Sequence, residues 1–168
     1  EVAQDGRRGA LMLSISIKHP DVENFINAKL EEGKVTGANI SVKITDDFMQ
    51  SVISNKEFIQ QYPIGAENPK FTRKINANQL WNKIVHNAWR SAEPGILFWD
   101  TIIRESVPDC YADLGFRTVS TNPCGEQWLG PYENCVLGSI NLLQHVSEDG
   151  KLDWEELRRS IILSTRFL

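Results

Sequence analysis

A chain of 168 residues that is 41% hydrophobic and 24% charged has the composition of an ordinary globular protein and is long enough to form one domain with a core. Its formal net charge of −4 argues against a general nucleic-acid-binding surface, and no apolar run approaches the ~20 residues needed to span a bilayer. The three cysteines have no short spacing, so they do not indicate a secreted disulfide framework, and a reducing cytoplasm is the expected compartment.

The first half of the chain predicts strands and helices in alternation. Residues 10–16 form an apolar run suited to a buried strand, and Pro20, followed by acidic residues, is typical of the first turn of a helix. Residues 38–44 alternate as a strand does, and Thr45 is a favourable N-cap for the helix that follows. Residues 62–74 are polar and contain prolines and a glycine, and we expect them to form a surface loop.

The second half continues this alternation. Residues 78–92 carry an apolar stripe at helical spacing, residues 95–99 predict a short buried strand, and a helix is expected near residues 101–106. The apolar run 136–142 predicts another strand, and Asp153 is a favourable cap for the last helix. Four apolar side chains of that helix are expected to face inward: Trp154, Leu157, Ile161 and Ile162. Strands that alternate with helices favour an α/β fold with parallel strands.

The stretch from Ser120 to Gln127 is the most informative part of the chain. It presents an amide, a thiol and a carboxylate at Asn122, Cys124 and Glu126. The intervening proline restricts the backbone and the glycine permits a left-handed conformation, so we expect a sharp loop with the thiol at its tip. An Asn-Pro-Cys-Gly run alone is more often an ordinary turn with a buried cysteine. The added carboxylate, and a second thiol at Cys135, favour a functional site instead.

This loop and the run around Cys135 resemble the active-site region of ribonucleotide reductase catalytic subunits, and are most similar to the class II, adenosylcobalamin-dependent enzymes. The resemblance covers nearly all of residues 1–168 and implies an interior segment of the catalytic barrel domain, because these subunits are several times longer. It also implies part of a ten-stranded α/β barrel, with the Cys124 region as a finger loop inside it. Trp128 stands where many relatives carry proline.

The resemblance also implies a role for each residue of the motif. Cys124 is expected to be the thiyl radical residue and Glu126 the general base that accepts the 3′-hydroxyl proton. Asn122 would hydrogen-bond the ribose hydroxyls. Cys135 would be one member of a redox pair whose partner lies upstream of Cys110, where this chain has no cysteine. The residues expected to contact the substrate are Ser120, Thr121, Asn122 and Glu126.

The same resemblance implies the cofactor and the partners. Adenosylcobalamin would be bound mainly by parts outside this segment, and no metal site is expected. The partners would be a ribonucleotide, thioredoxin or a similar dithiol, the remainder of the reductase chain and a second copy in a homodimer. We expect neither a nucleic-acid nor a membrane partner. The expected activity is that of a ribonucleoside-diphosphate reductase, with the choice between diphosphate and triphosphate left open, and the segment alone is expected to be inactive.

Three other interpretations are left open by the sequence. A class I large subunit would take its radical from a separate metal-containing subunit, and some class I subgroups share this loop. A non-catalytic product could keep the motif and act only as a structural or interaction module. A zinc site could use four residues: Cys110, Cys124, Cys135 and His145. The absence of any closely spaced ligand pair makes zinc the weakest of these hypotheses.

Overall fold

The computed structural model describes residues 3–4, 7–31 and 33–168, without the side chains of residues 3, 4, 7 and 8. It divides into two compact units, Glu1–Glu133 and Asn134–Leu168. The strands are β1 (Ala3–Gln4), β2 (Arg7–Arg8), β3 (Met12–Ser16), β4 (Asn39–Ile44), β5 (Glu57–Tyr62), β6 (Phe71–Asn76), β7 (Gly95–Phe98), β8 (Ser120–Thr121) and β9 (Trp128–Leu129). The helices are α1 (Val22–Asn27), α2 (Asp46–Ile53), α3 (Ala77–Ser91), α4 (Trp99–Glu105) and α5 (Trp154–Phe167), with 3₁₀ helices at Pro108–Leu114 and Leu142–His145.

A three-stranded parallel sheet in the order β3-β4-β7 organises the first unit. Parallel neighbours need a long crossover. Here α1 connects β3 to β4, and α2 and α3 lie between β4 and β7. The predicted α/β fold with parallel strands is confirmed, and the three predicted strands of this sheet are present. Over the described residues the sheet is open and forms no closed barrel.

The two faces of this sheet differ because side chains alternate along each strand. On what we call the helix face, Ile40, Val42 and Ile44 of β4 are at most 2% exposed. The core on that side joins β4 to the helices and to β5: Ile17, Val22, Ile26, Val42, Ile44, Phe48, Val52, Phe58, Ala77, Leu80 and Ile84. Each large apolar side chain buried in this way contributes about 1.5–3 kcal/mol. The opposite face, which we call the loop face, presents Asn39, Ser41 and Lys43.

The prediction of a surface loop over residues 62–74 is confirmed for residues 63–70, which connect two strands, and wrong for Tyr62 and residues 71–74, which lie in those strands. β5 and β6 form an antiparallel hairpin whose register runs from the pair Glu57 and Asn76 to the pair Tyr62 and Phe71. Phe58 of β5 is buried in the core, whereas β6 carries mainly exposed polar side chains. The polar composition of β6 therefore has the appearance of a loop, although its backbone pairs fully with β5.

The helix starts agree only in part with the sequence. Asp153 caps α5 as predicted, because its carboxylate accepts a hydrogen bond from the Glu156 amide at 3.0 Å. Thr45 occupies the N-cap position of α2, but its hydroxyl donates to the Asp47 carboxylate and caps no backbone amide. Pro20 lies in the turn that precedes α1 instead of in its first helical turn.

The second unit corrects two predictions. Residues 136–142 pair with no other strand among the described residues, and Leu137 is 87% exposed, so the predicted strand is absent. On α5, Leu157 is buried as predicted, but three side chains expected to face inward are exposed: Trp154, Ile161 and Ile162. An apolar run does not form a strand without a partner, and this small unit offers little surface against which α5 could bury a face.

Candidate active-site loop

A short hairpin positions the predicted site. β8 and β9 pair through Ser120 with Leu129 and Thr121 with Trp128. The Asn122 amide extends this ladder by donating to the Gln127 carbonyl at 3.2 Å. Residues 122–127, which we call the Cys124 loop, are therefore closed at their base by paired backbone.

Asn122 organises the Cys124 loop from within. Its side-chain oxygen accepts hydrogen bonds from the Glu126 amide at 3.2 Å and the Gln127 amide at 3.0 Å. Its side-chain nitrogen donates to Glu126 Oε1 at 2.5 Å. Asparagine commonly satisfies nearby backbone amides in turns in this way. The structure therefore brings the predicted amide and the predicted carboxylate into direct contact.

The backbone at the tip is a tight turn, as the sequence predicts. The Gly125 amide donates to the Asn122 carbonyl at 3.1 Å, and Gly125 has φ +80°, a conformation that residues with a Cβ rarely adopt. A Cβ at this position would lie 3.9 Å from Leu97, so the backbone angle, and not crowding, is what requires glycine. Cys124, which precedes Gly125 in this turn, is exposed.

Two side chains of β4 join this hairpin to the loop face. Asn39 Nδ2 donates to the Pro123 carbonyl at 2.7 Å, and Lys43 Nζ donates to the Val119 carbonyl at 2.6 Å. Lys43 also lies over the ring of Trp99, with 3.7 Å between Nζ and the ring centroid. Burial lowers the pKa of Lys43, because the charged ammonium loses hydration there.

A cleft of about 660 Å³ lies beside the Cys124 loop within the first unit. Its volume falls in the range of small-molecule sites, which is about 300–1,000 Å³. Its walls combine apolar side chains with a few polar ones, among them Met12, Ser41, Leu97, Glu105, Cys124 and Trp128. Cys124 therefore lines a space of the size of a small-molecule site, whereas Asn122 and Glu126 are not among its lining residues.

The remaining predicted residues lie in different surroundings. Ser120 is half-buried in β8, and Thr121 is buried, with its hydroxyl donating to the Asn122 side-chain oxygen at 3.2 Å. Cys135 belongs to the second unit, where it is partly buried. Cys110 is exposed, and its thiol donates to the Val107 carbonyl at 2.9 Å. Across the described residues, no three His, Cys, Asp or Glu side chains are grouped so that they could hold a metal ion.

Sequence reasoning missed Asn39 and Lys43. The available signal was polar side chains at alternate positions of a strand whose other side is continuously apolar.

Sequence reasoning also missed Asp109, whose carboxylate accepts hydrogen bonds from the Ser106 hydroxyl and the Thr118 amide just before β8. Burial raises the pKa of Asp109, but these hydrogen bonds outweigh it and lower the pKa overall.

No helix in the described part of the chain combines the length and the apolar character needed to cross a membrane.

Known proteins are similar to this sequence along nearly its whole length. The profile of the ribonucleotide reductase barrel domain matches residues 2–168. The chain is 40% identical over 163 residues to the vitamin B12-dependent ribonucleoside-diphosphate reductase of Thermoplasma acidophilum, which covers 96% of this chain and 20% of that protein. It is 37% identical over 164 residues to the protein of the same name from Mycobacterium tuberculosis, covering 96% of this chain and 22% of the relative. The vitamin B12-dependent ribonucleotide reductase of Rhodopirellula baltica is 31% identical over 180 residues, with 90% and 16% covered. The chain thus spans about a fifth of the length of the curated relatives it matches.

Proposed function

Because the chain belongs to the ribonucleotide reductase family, whose barrel domain it matches, we propose that it forms the central part of the catalytic barrel of an adenosylcobalamin-dependent ribonucleoside-diphosphate reductase. The complete barrel would have ten strands, to which the parallel sheet contributes three. The complete enzyme would act in a reducing cytoplasm, as a homodimer reduced by thioredoxin or a similar dithiol. The relatives named as B12-dependent reductases support the choice of cofactor. Two of them are named diphosphate reductases, which favours diphosphates, whereas the relative from Mycobacterium phage D29 is named a triphosphate reductase, so the assay below compares both substrates.

The observation on which this proposal depends is the geometry of the Cys124 loop. An exposed thiol lies between an amide and a carboxylate that contact one another at 2.5 Å, and the loop borders a cleft of about 660 Å³. Reduction at the ribose 2′ position needs a hydrogen-abstracting group, a base and a hydrogen-bonding group beside the same sugar. Cys124, Glu126 and Asn122 provide these three groups on a single turn.

Adenosylcobalamin fits this arrangement at the tip of the loop. Cys124 is exposed, so its sulfur is accessible from outside the turn, and Pro123 and Gly125 would be the adjoining contacts in this chain. When bound, the cofactor supplies the one-electron chemistry that converts a thiol into a thiyl radical. The rest of its binding surface would come from other parts of the full-length protein.

The residues of this chain would then act in sequence on the ribose. Cys124 removes the hydrogen atom from C3′, and Glu126 accepts the proton of the 3′-hydroxyl while Asn122 holds its carboxylate. The 2′-hydroxyl takes a proton from one thiol of the reducing pair and leaves as water. Together Cys135 and an upstream cysteine deliver this proton, a hydrogen atom to C2′ and one further electron, and they end as a disulfide. Glu126 then returns its proton to the 3′ oxygen, and Cys124 returns the hydrogen atom to C3′. Thr121 assists indirectly, because its hydroxyl holds the Asn122 side chain.

The direct test is an assay of the full-length protein that contains this segment. Ribonucleoside diphosphates and triphosphates are each incubated with a dithiol, with and without adenosylcobalamin, and deoxynucleotides are quantified. We expect product only with the cofactor and faster turnover of diphosphates. Product that forms without the cofactor but with a separate metal-containing radical subunit would assign the chain to class I, and no product under either condition would leave only a structural role.

The role of Cys135 is tested separately. Cys135→Ser should still release tritium from substrate labelled at C3′ but should not complete multiple turnovers, since one of the two reducing thiols is lost. Cys110→Ser is the matched control, because Cys110 is an exposed cysteine outside the motif. Normal multiple turnover of Cys135→Ser with thioredoxin would remove Cys135 from the redox pair.

A further inference from the structure

The strand β4 holds the β8–β9 hairpin, which carries the Cys124 loop, through two side chains that are distant in sequence from the hairpin. Asn39 binds the Pro123 carbonyl across 84 residues, and Lys43 binds the Val119 carbonyl across 76 residues. Both side chains lie on the loop face, four residues apart, and the two carbonyls are also four residues apart. The first arm of the hairpin therefore lies along β4 in the antiparallel sense, attached near its base and near its tip.

The support beneath these two side chains is rigid. β4 is the central strand, hydrogen-bonded to β3 on one side and to β7 on the other, and its helix face is in the core. Lys43 is further oriented by the ring of Trp99, at 3.7 Å. A side chain that projects from such a strand can fix the position of a loop.

The backbone on both sides of Asn39 is fixed by a half-buried ion pair. Lys29 Nζ donates to the Ala38 carbonyl at 2.6 Å, and Glu93 Oε1 accepts from the Ile40 amide at 3.3 Å. Lys29 and Glu93 also bind one another, and both side chains are 18% exposed. The strand position that carries Asn39 is therefore restrained from the preceding and from the following residue.

The hydrogen bond of Asn39 acts directly on the reacting residue. The Pro123 carbonyl and the Cys124 nitrogen belong to one planar peptide unit, so fixing that oxygen fixes the plane from which the Cys124 side chain starts. The bonds inside the Cys124 loop maintain its shape, but they do not determine where it lies over the sheet. The bonds from Asn39 and Lys43 attach the loop and its first arm directly to the sheet.

We propose that Asn39 and Lys43 are positioning residues for the Cys124 thiol. Asn39 sets the location of the loop tip through the Pro123 carbonyl, and Lys43 sets the location of the arm through the Val119 carbonyl. This assignment depends on the proposed function only in that Cys124 is the reacting group. Lys43 does not line the cleft, whereas Asn39 does, and the role proposed for Asn39 is its hydrogen bond to the Pro123 carbonyl and not a contact with substrate.

The test of Asn39 uses Asn39→Leu in the full-length protein, because leucine is of similar size, adds no charge beside the Cys124 thiol and cannot donate to a carbonyl. A displacement of about 1 Å can cost about 10²-fold in rate, so we expect kcat to fall about 10- to 100-fold while KM stays within about twofold. A second readout is the rate at which iodoacetamide alkylates Cys124, followed by mass spectrometry of its peptide, which should differ from that of the wild type. Asn24→Leu, the same change at an exposed asparagine of α1, is the control and should leave both quantities unchanged.

The test of Lys43 compares two substitutions. Lys43→Met keeps the aliphatic stem but removes the donor, and should lower kcat and change the alkylation rate of Cys124. Lys43→Arg keeps a cation that can donate to the Val119 carbonyl and lie over Trp99, and should recover most of the kcat. Lys56→Met, at an exposed lysine, is the control.

These readouts separate positioning from simple stability and from the proposed reaction. If the wild-type protein makes no deoxynucleotide, the proposed function fails, but a changed alkylation rate at Cys124 in the uncharged variant Asn39→Leu, and in Lys43→Met with recovery in Lys43→Arg, still supports positioning. If kcat and alkylation rate in both variants match those of the controls, the positioning proposal is overturned and the proposed function stands. A loss that appears only as a smaller folded fraction, measured by circular dichroism, with unchanged kcat per folded molecule, also overturns it.

Discussion

The helix face and the loop face of the parallel sheet bind what covers them in different ways. On the helix face, Val42 and Phe48 are fully buried in a continuous apolar core. On the loop face, Asn39 is exposed and Lys43 is half-buried, and each makes one hydrogen bond to a backbone carbonyl of the hairpin. Apolar burial is non-directional and adds over many contacts, whereas a hydrogen bond fixes one atom against another.

This difference indicates how the molecule divides stability from chemistry. When a buried side chain of the helix face is truncated, the free energy of unfolding falls in proportion to the apolar area lost, and the orientation of the Cys124 loop does not change. The loop face contributes less to the free energy of unfolding, but each of its bonds determines where a reacting group lies. Changes on the two faces should therefore affect different measurements, which the following substitutions test from the largest effect to the smallest.

Cys124→Ser should affect chemistry alone. Deoxynucleotide formation by the full-length enzyme should fall by at least about 10²-fold, because a hydroxyl O–H bond is too strong to be converted into a usable hydrogen-abstracting radical. The melting temperature and nucleotide binding should stay close to those of the wild type, because the side chain is exposed. Substantial turnover of the serine variant would contradict the assignment of Cys124.

Glu126→Gln, also in the Cys124 loop, should have the next largest effect on kcat. The amide keeps the size of the side chain but cannot accept the 3′-hydroxyl proton, and loss of a general base commonly costs ~10²–10⁴-fold in kcat. Its control is Glu133→Gln, which alters a carboxylate that accepts from the Gly130 amide at 2.7 Å, outside the Cys124 loop. A loss below about threefold for Glu126→Gln would reduce this residue to a positioning role.

Phe48→Ala should show the opposite pattern. Phe48 is fully buried and meets Phe58 edge-on, with 5.1 Å between the ring centroids. Its truncation should cost about 3–5 kcal/mol in the free energy of opening of β4 and α2, measured by hydrogen exchange, while kcat per folded molecule changes little. Phe71→Ala, at a phenylalanine that is 53% exposed, is the control and should change stability only slightly. A large change in kcat without a change in exchange would break the division between the two faces.

The helix face and the loop face also differ in how much of each could be predicted from the sequence. The helix face was predictable, because its apolar runs and helical stripes are local patterns. The tight turn at Gly125 was predictable from its glycine and the preceding proline. The exposed run 136–142 was mispredicted as a strand, since an apolar segment looks the same with or without a partner. The contacts of Asn39 and Lys43 were not predictable, because they span 84 and 76 residues and depend on the crossover topology.

Gly95→Ala tests the packing of the loop face itself, because Gly95 of β7 is the register partner of Ser41 of β4. A Cβ at Gly95 would lie 2.6 Å from Ser41 Oγ, so the buried Ser41 side chain would have to move. Overpacking of this kind costs about 1–3 kcal/mol, and we expect the lower end, because a serine hydroxyl can rotate. The double variant Gly95→Ala/Ser41→Ala removes the clashing oxygen and should recover most of the loss in melting temperature. If the double variant is no more stable than Gly95→Ala, the contact with Ser41 is not what requires glycine.

Glu23→Gln should have the smallest effect, and the effect should depend on pH. Glu23 joins α1 to α3 and β6, with 2.8 Å to Lys83 Nζ and 3.0 Å to Arg73 Nη2. The hydrogen bond from Lys83, followed by that from Arg73, lowers the pKa of Glu23 from its ordinary value of 4.5, and partial burial opposes this. A carboxylate with a lowered folded-state pKa stabilises fully above its unfolded pKa, and this contribution is lost as the pH falls through the folded value.

The expected size is small, because the Glu23 side chain is 38% exposed and solvent screens the pair. At pH 7 and low salt, Glu23→Gln should lower stability by about 0.2–1 kcal/mol, seen as a small fall in melting temperature. The difference from wild type should shrink as the pH drops below about 4, and also in high salt. Glu57→Gln is the matched control, since its one ion pair, with Lys74 at 3.6 Å, is 69% exposed on both sides and should contribute nothing measurable. If Glu23→Gln and Glu57→Gln give the same pH profile, the paired cations do not account for the lowered pKa, and the helix face gains no electrostatic support from this cluster.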